Sequence, residues 1–182
     1  YFQRTSKYVY TDLNRDHFQF IPAGDAIQII TCLRTIKKHI RARENKNTRE
    51  LKFLDCGCGI GNIMLLADEV GFEASGIEYE EELIAVAKQL LPTYAHVIKG
   101  DILTYDKYSE YDVIYFYRPI RNSQKHEQFV EKITRDACVG AIIMDYGSNT
   151  YHGYNEQLKN SLDCKVRQIK TNRIVTLEKV KA

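Results

Sequence analysis

From Leu51 to Gly71 the chain reads LKFLDCGCGIGNIMLLADEVG, and no other stretch restricts the fold as much. Leu51–Asp55 is a short apolar run without polar alternation, the pattern of a strand buried on both faces. Gly57, Gly59 and Gly61 then fall at alternate positions. Asn62–Val70 follows with the apolar content of a helix and stops at Gly71. Glycine lets a backbone take positive φ and come close to a ligand. The helix that opens after the turn presents N–H groups with no partner inside the helix. A strand, a glycine turn and a helix in this order build a ligand cradle at the carboxyl edge of an open α/β sheet.

The rest of the chain keeps the alternation. Glu73–Glu78, Ala95–Lys99, Tyr111–Phe116 and Ala141–Asp145 read as further strands. Glu80–Leu91 reads as a helix with Leu83, Ile84, Val86, Ala87, Leu90 and Leu91 on its apolar side, stopped by Pro92. Ser123–Asp136 reads as another. Strands alternating with helices imply a parallel sheet covered on both faces. The end differs: a helix over Tyr154–Leu162 is expected, then two strand-like runs, Cys164–Lys170 and Arg173–Lys179. Runs this close together pair as an antiparallel hairpin. The expected fold is therefore α/β, a Rossmann-like three-layer sandwich on a mostly parallel seven-stranded sheet with a C-terminal antiparallel hairpin.

Before residue 51, FIPAGDAIQIITCLRTIKKHI opens at Pro22 and runs into a helix, with Asp25 as N-cap and Ile27, Ile30, Leu33 and Ile36 on one side. Arg41–Glu50 reads as a charged linker. The expected division is residues 1–3 as a tag remnant, because Tyr1-Phe2-Gln3 resembles the end of a protease site. Residues 4–50 then form an N-terminal helical extension or lid, and 51–182 the ligand-binding domain.

At 182 residues, 44% hydrophobic and 27% charged, the chain has ordinary globular composition, and its net charge of +2 marks no polyanion binder. No apolar run reaches the ~20 residues of a membrane span. Five cysteines, none at two-residue metal spacing, fit a cytoplasmic protein without a metal centre. Cys56 and Cys58 leave two readings, a zinc knuckle or small side chains filling a crowded turn, and the second is favoured. Arg34, Lys37, Lys38, Arg41, Arg43, Lys46 and Arg49 concentrate positive charge. They form either a solvated helix face and linker, which is favoured, or a contact for a nucleic-acid backbone.

A dinucleotide fingerprint needs glycine where this chain has Asn62, and a phosphate loop needs a Gly-Lys-Ser/Thr that is absent. Glu78 ends the second strand 21 residues after Gly57, at the spacing of an acid that accepts from ribose hydroxyls. Asp101 stands just past the third strand, placed to accept from an adenine amino group, with Ile102 beside the ring. LDCGCGIGN, GIEYE and KGDIL, in this order, resemble the first three cofactor motifs of the class I S-adenosylmethionine-dependent methyltransferases. The resemblance covers about residues 51–180 and includes the terminal hairpin. It implies S-adenosylmethionine as cofactor and S-adenosylhomocysteine (SAH) as product. Asp55, Gly57, Gly59 and Gly61, with Asn62 opening the helix, would line the methionine part. Glu78 would hold the ribose, Tyr79 would pack on the adenine, and Asp101 with Ile102 would bracket it.

Substrate-side residues belong at the end of the fourth strand, YDVIYFYRPIRN. The Asn/Asp-Pro-Pro-aromatic motif of methylases acting on adenine or glutamine is replaced here by Tyr117-Arg118-Pro119-Ile120, which argues against those acceptors. Tyr117 is the candidate to border the sulfonium, an aromatic face suiting a cation. Its other reading is an ordinary strand-end aromatic. Tyr117 and Asp145 are the catalytic candidates. Arg118 either binds an acidic group or caps the strand end. The helix entry after Phe20-Ile21-Pro22 also resembles a subgroup of protein-lysine methyltransferases, but Ala23 and Ile60 depart from its pattern. The expected function is methyl transfer to a nitrogen or oxygen of a protein side chain or small molecule. The alternative is a binding module for a protein or RNA that has lost turnover.

Overall fold

A computed structural model of the chain describes residues 23–44, 49–92, 95–146, 166–169 and 174–179. Helix α1 spans Ala23–Arg43, strand β1 Lys52–Cys56, α2 Asn62–Val70, β2 Glu73–Glu78, α3 Glu81–Leu90 and β3 His96–Lys99. A 3-10 turn covers Tyr108–Glu110. Then come β4 Val113–Phe116, α4 Ser123–Asp136, β5 Ile142–Tyr146, β6 Val166–Ile169 and β7 Ile174–Lys179. The helix expected at 154–162 lies outside the described residues, as do residues 1–22.

The seven strands form one sheet in the order β3-β2-β1-β4-β5-β7-β6. β1 to β5 are parallel, and β7 runs antiparallel to both β5 and β6. From β1 the chain winds outward through β2 to β3, then returns to the other side of β1 for β4 and β5. That reversal leaves a crevice at the carboxyl ends of β1 and β4, where ligands of open α/β sheets bind. The expected mostly parallel sheet with its terminal hairpin is what the chain forms.

Both faces of the sheet are covered. Phe53, Val113, Tyr115, Ile142 and Met144 pack against Ile29, Leu33 and Ile36 of α1 and Ile63, Leu66 and Ala67 of α2. On the other face Leu54, Ile114, Phe116 and Ile143 pack against Phe129, Val130 and Ile133 of α4. Burial of every position of β4 explains why its sequence shows no alternation.

Helix α1 departs from expectation in two ways. It begins at Ala23, so Asp25 sits in the first turn, where its charge still favours the helix dipole, and is not the N-cap. Its buried stripe is Ala26, Ile29, Leu33, Ile36 and Ile40, while Ile27 is 71% exposed. The expected face repeated every three residues. A helix turns once in 3.6, so a strict three-residue spacing drifts around the cylinder, and the mixed spacing of three and four marks the true stripe. The helix is thereby a layer of the sandwich.

The basic cluster around α1 is divided among local partners. Lys37 donates to the carbonyls of Val70 and Gly71 at 2.7 and 2.8 Å, closing the C-terminus of α2. Arg43 donates to Glu178 at 2.5 Å and to the Gly140 carbonyl at 2.9 Å. Arg49 grips Asp112 with two nitrogens, at 2.5 and 2.8 Å, and reaches Glu44 at 2.7 Å. Arg41 donates to the Arg49 carbonyl at 2.5 Å. Arg34 and Lys38 are exposed, and Lys46 lies outside the described residues. Four of the seven cations therefore tie the ends of α1 and β1 into the domain. Among the described residues no helix is long and apolar enough to cross a membrane.

Candidate active site

The turn after β1 holds all three glycines at positive φ, 81° for Gly57, 55° for Gly59 and 83° for Gly61. The N–H groups of Gly57 and Cys58 both donate to the Ile77 carbonyl, at 2.9 and 3.0 Å, so the turn hangs on the end of β2. Glu78 completes the attachment. Its carboxylate accepts from the N–H of Gly59 at 2.8 Å on one oxygen, and from Tyr79 and Glu80 at 2.8 and 3.0 Å on the other. One buried acid thus joins the glycine turn to the start of α3.

A cavity of about 520 Å³ opens here, large enough for a nucleoside-sized ligand. Of the residues expected at the cofactor, Asp55, Gly57, Gly59, Asn62, Glu78, Tyr79, Asp101, Ile102 and Tyr117 line it. Tyr79 is 67% exposed, its ring uncovered at the rim. Asp101 closes its own turn by accepting from the Leu103 N–H at 2.8 Å. Cys58 also lines the cavity. Cys56 is buried behind it, and burial pushes both thiols well above the ordinary range.

Two expected residues are not brought to the cavity wall. Gly61 precedes α2, and a Cβ there would meet Leu91 at 2.6 Å. Its glycine serves the close packing of α2 and the end of α3. Asp145 pairs in register with Phe116, on the sheet face opposite Tyr115 and Met144, and is 6% exposed. Burial raises its carboxyl to about 7, with Arg118 pulling the other way.

The region before α2 and the strand ends has the form of a known family. The profile of a methyltransferase domain matches residues 47–176. The chain belongs to the methyltransferase domain family. The likeness of its three motifs to class I S-adenosylmethionine-dependent methyltransferases is borne out with it, and the protein is a methyltransferase. Among solved structures it is similar to a sugar N-methyltransferase from Streptoalloteichus, at 13% identity and TM-score 0.66, over 94% of this chain and 97% of that one. It is also similar to a magnesium protoporphyrin IX methyltransferase from Synechocystis with bound SAH, at 14% identity and TM-score 0.57, over 100% and 94%. A TehB-like SAM-dependent methyltransferase from Corynebacterium glutamicum is 16% identical with TM-score 0.58, over 88% and 100%. No curated protein matches in sequence.

In the methyltransferase domain the end of β4 and the residues after it form one side of the cavity. Tyr117 lines the cavity and packs edge-on against Tyr146, ring centroids 5.1 Å apart. Arg118 has φ 43°, a left-handed conformation unusual for a non-glycine residue and more so before proline. The kink brings Pro119 against the glycine turn, where a Cβ on Gly57 would lie 3.0 Å from the Pro119 Cβ. Gly57→Ala therefore combines positive φ with a contact that must give way. It is expected to lower the melting temperature by about 2–12 °C, the effect of ~1–3 kcal/mol of strain in a domain this size. A thermal melt checks it.

Sequence reasoning missed Tyr115, Pro119 and Lys125, which also line the cavity. Tyr115 was detectable by register alone. It stands directly opposite Asp55 across the β1–β4 ladder, so the two side chains share a face.

Proposed function

We propose that this methyltransferase binds S-adenosylmethionine in the cavity beside β1 and β4 and methylates a nitrogen or oxygen of a protein side chain or small molecule. The observation that carries the reading is Glu78. A carboxylate held by three backbone N–H groups at the cavity wall is oriented before any ligand arrives, and its remaining lone pairs suit ribose hydroxyls. When bound, the cofactor supplies an electrophilic methyl on a sulfonium with an excellent leaving group. Little covalent assistance is then required of the protein, and the residues' work is to position. Asp55 and the glycine turn receive the methionine end, Asn62 adds a polar group at the start of α2, and Glu78 holds the ribose. Tyr79, Asp101 and Ile102 surround the adenine. Tyr117 borders the reacting atoms and presents an aromatic wall to positive charge. Asp145 is assigned no contact with them, because it lies off the cavity wall. The acceptor enters past Tyr117, Arg118 and Pro119, so these residues are the place to look for its selection. A cytoplasmic location is part of the proposal, supported by the free thiols of Cys32, Cys56, Cys58 and Cys138, buried or half-buried among the described residues.

Calorimetric titration tests the cofactor assignment. S-adenosylmethionine and SAH are expected to bind on the order of micromolar, a range common for enzyme ligands, and NAD not at all. Gly59→Arg, which places a long side chain in the cradle, is expected to abolish both while the protein stays folded. Binding without methyl transfer to any tested amine, hydroxyl or protein acceptor would favour the binding-module alternative. No binding by the wild-type protein would sink the cofactor reading.

A further inference from the structure

The cavity is divided by charge. Its acids, Asp55, Glu78, Glu80 and Asp101, stand in or just after β1, β2 and β3. Its cations, Arg118 and Lys125, stand on the other side, just after β4 and in the first turn of α4. From Tyr117 to His126 the chain carries three arginines and lysines and no acid. Both cavity cations are exposed, so a solute can reach them. The Arg118 guanidinium lies over the Tyr117 ring, 6.0 Å from its centroid, beside a ring that itself lines the cavity. Arg118 also acts on Asp145 of β5, but burial raises that carboxyl to about 7, so near neutral pH it answers only part of the cation's charge. Lys125 is fixed through its backbone, whose N–H donates to the Asn122 side chain at 2.9 Å.

Among the described residues Arg118 alone of the non-glycines has positive φ, 43°, and the proline after it disfavours that shape further. Glycine would take the turn without strain. A strained residue at a cavity wall points to a use for its side chain. The cofactor reading above draws on the acidic side of the cavity and on the glycine turn, and it leaves the two cations without a task. Guanidinium and ammonium groups recognise carboxylate and phosphate oxygens, the arginine through a two-pronged fork. Cations at a cavity rim also raise the local concentration of anions. We propose that Arg118 and Lys125 hold an anionic group of the methyl acceptor, a carboxylate or a phosphate, so that the enzyme selects small acidic acceptors. This rests on the cofactor reading. The anion is an anchor and not the atom methylated, since ion pairing engages its lone pairs. The acceptor's nitrogen or oxygen forms the new bond to the methyl carbon, the electron pair of the broken carbon–sulfur bond stays on sulfur, and the proton released passes to water.

The test uses benzoate, phenyl phosphate and benzamide, which share a ring for the Tyr117 wall and differ in charge. Calorimetry first measures SAH affinity. Each probe is then titrated by saturation-transfer NMR into the protein saturated with SAH. Benzoate or phenyl phosphate should bind at least about 10-fold more tightly than benzamide, and the tighter of the two names the anionic group. Arg118→Gln and Lys125→Gln should each weaken that anion about 5-fold, the effect of a charged hydrogen bond discounted for exposure, and leave SAH affinity unchanged. Lys125 sits on an exposed helix turn, so its variant keeps the test open even if Arg118→Gln disturbs the turn before Pro119. Equal binding of the three probes, or binding of none, would overturn the proposal. Anion binding that survives both substitutions would do the same. Weaker SAH binding by both variants would assign the cations to the cofactor's own carboxylate instead. If the wild-type protein did not bind SAH, the cofactor reading would fail first and the acceptor assignment with it.

Discussion

Glu78→Ala is expected to melt about 5–15 °C below the wild type and to lose measurable affinity for S-adenosylmethionine. The carboxylate is 8% exposed and is the acceptor for the N–H groups of Gly59, Tyr79 and Glu80. Hydrogen bonds to charged groups contribute roughly 1.5–3 kcal/mol each. Removing their common acceptor leaves three donors beside a cavity that water can enter, so part of the loss is recovered. Relief of the neighbouring Asp55 recovers a little more, because Glu78 adds to the cost of its charge. A net loss of about 2–4 kcal/mol is the expected balance, which in a domain this size gives that melting shift. The binding loss has a separate cause. Without Glu78 the Gly59 N–H is not anchored, the turn between β1 and α2 loosens from β2, and the carboxylate proposed to hold the ribose is gone. Glu78→Gln separates the two effects. Its amide oxygen can still accept from Tyr79 and Glu80, but its NH2 faces the Gly59 N–H. It should keep most of the stability and little of the affinity. A thermal melt and a SAH titration of both variants decide the matter. Wild-type binding by Glu78→Ala would mean that the acid does not touch the ligand.

Much of this arrangement was legible in the sequence, and the unread parts share physical causes. The glycine turn was legible because three glycines at alternate positions have few other uses, and Glu78 because its distance from them is set by one βαβ unit. The hairpin was legible because two strands joined by a few residues can pair in only one sense. Tyr115 was not. In a strand buried on both faces every position is apolar or aromatic, so nothing in YDVIYFY marks which residues look toward β1's Asp55. Register decides that, and register follows from the sheet as a whole. Gly61 looked like its two neighbours, but its missing side chain makes room for Leu91, thirty residues further on. Such contacts carry no local signature. The same holds for the basic residues of α1. Their charge, and that of Arg49 after the helix, was plain, while their partners Gly140, Asp112 and Glu178 stand 63 to 135 positions further along the chain.

Asp145 lies off the cavity wall, and its chemistry appears in the pH dependence of stability. In the folded protein burial raises its carboxyl from 3.8 to about 7, and Arg118 offsets part of that. In the unfolded chain it titrates near the ordinary 3.9. Between these values the folded state holds a proton that the unfolded state has released. Stability therefore rises with falling pH through that window, is fully gained below about 4, and is lost as pH climbs to about 7. Above 7 the cost is constant, with a ceiling of about 4 kcal/mol from the separation of the two values. Asp55, which burial shifts in the same direction, adds a slope of the same sign. Comparison with Asp145→Asn removes that common background. The variant keeps a neutral side chain of the same shape at every pH. Its stability should match the wild type near pH 4 and exceed it by a few kcal/mol at pH 8, as read by urea denaturation across that range. A difference independent of pH would show that Asp145 is already ionised in the fold. The Arg118 guanidinium would then be balancing a full charge, and the left-handed turn before Pro119 would be held by an ion pair at every working pH.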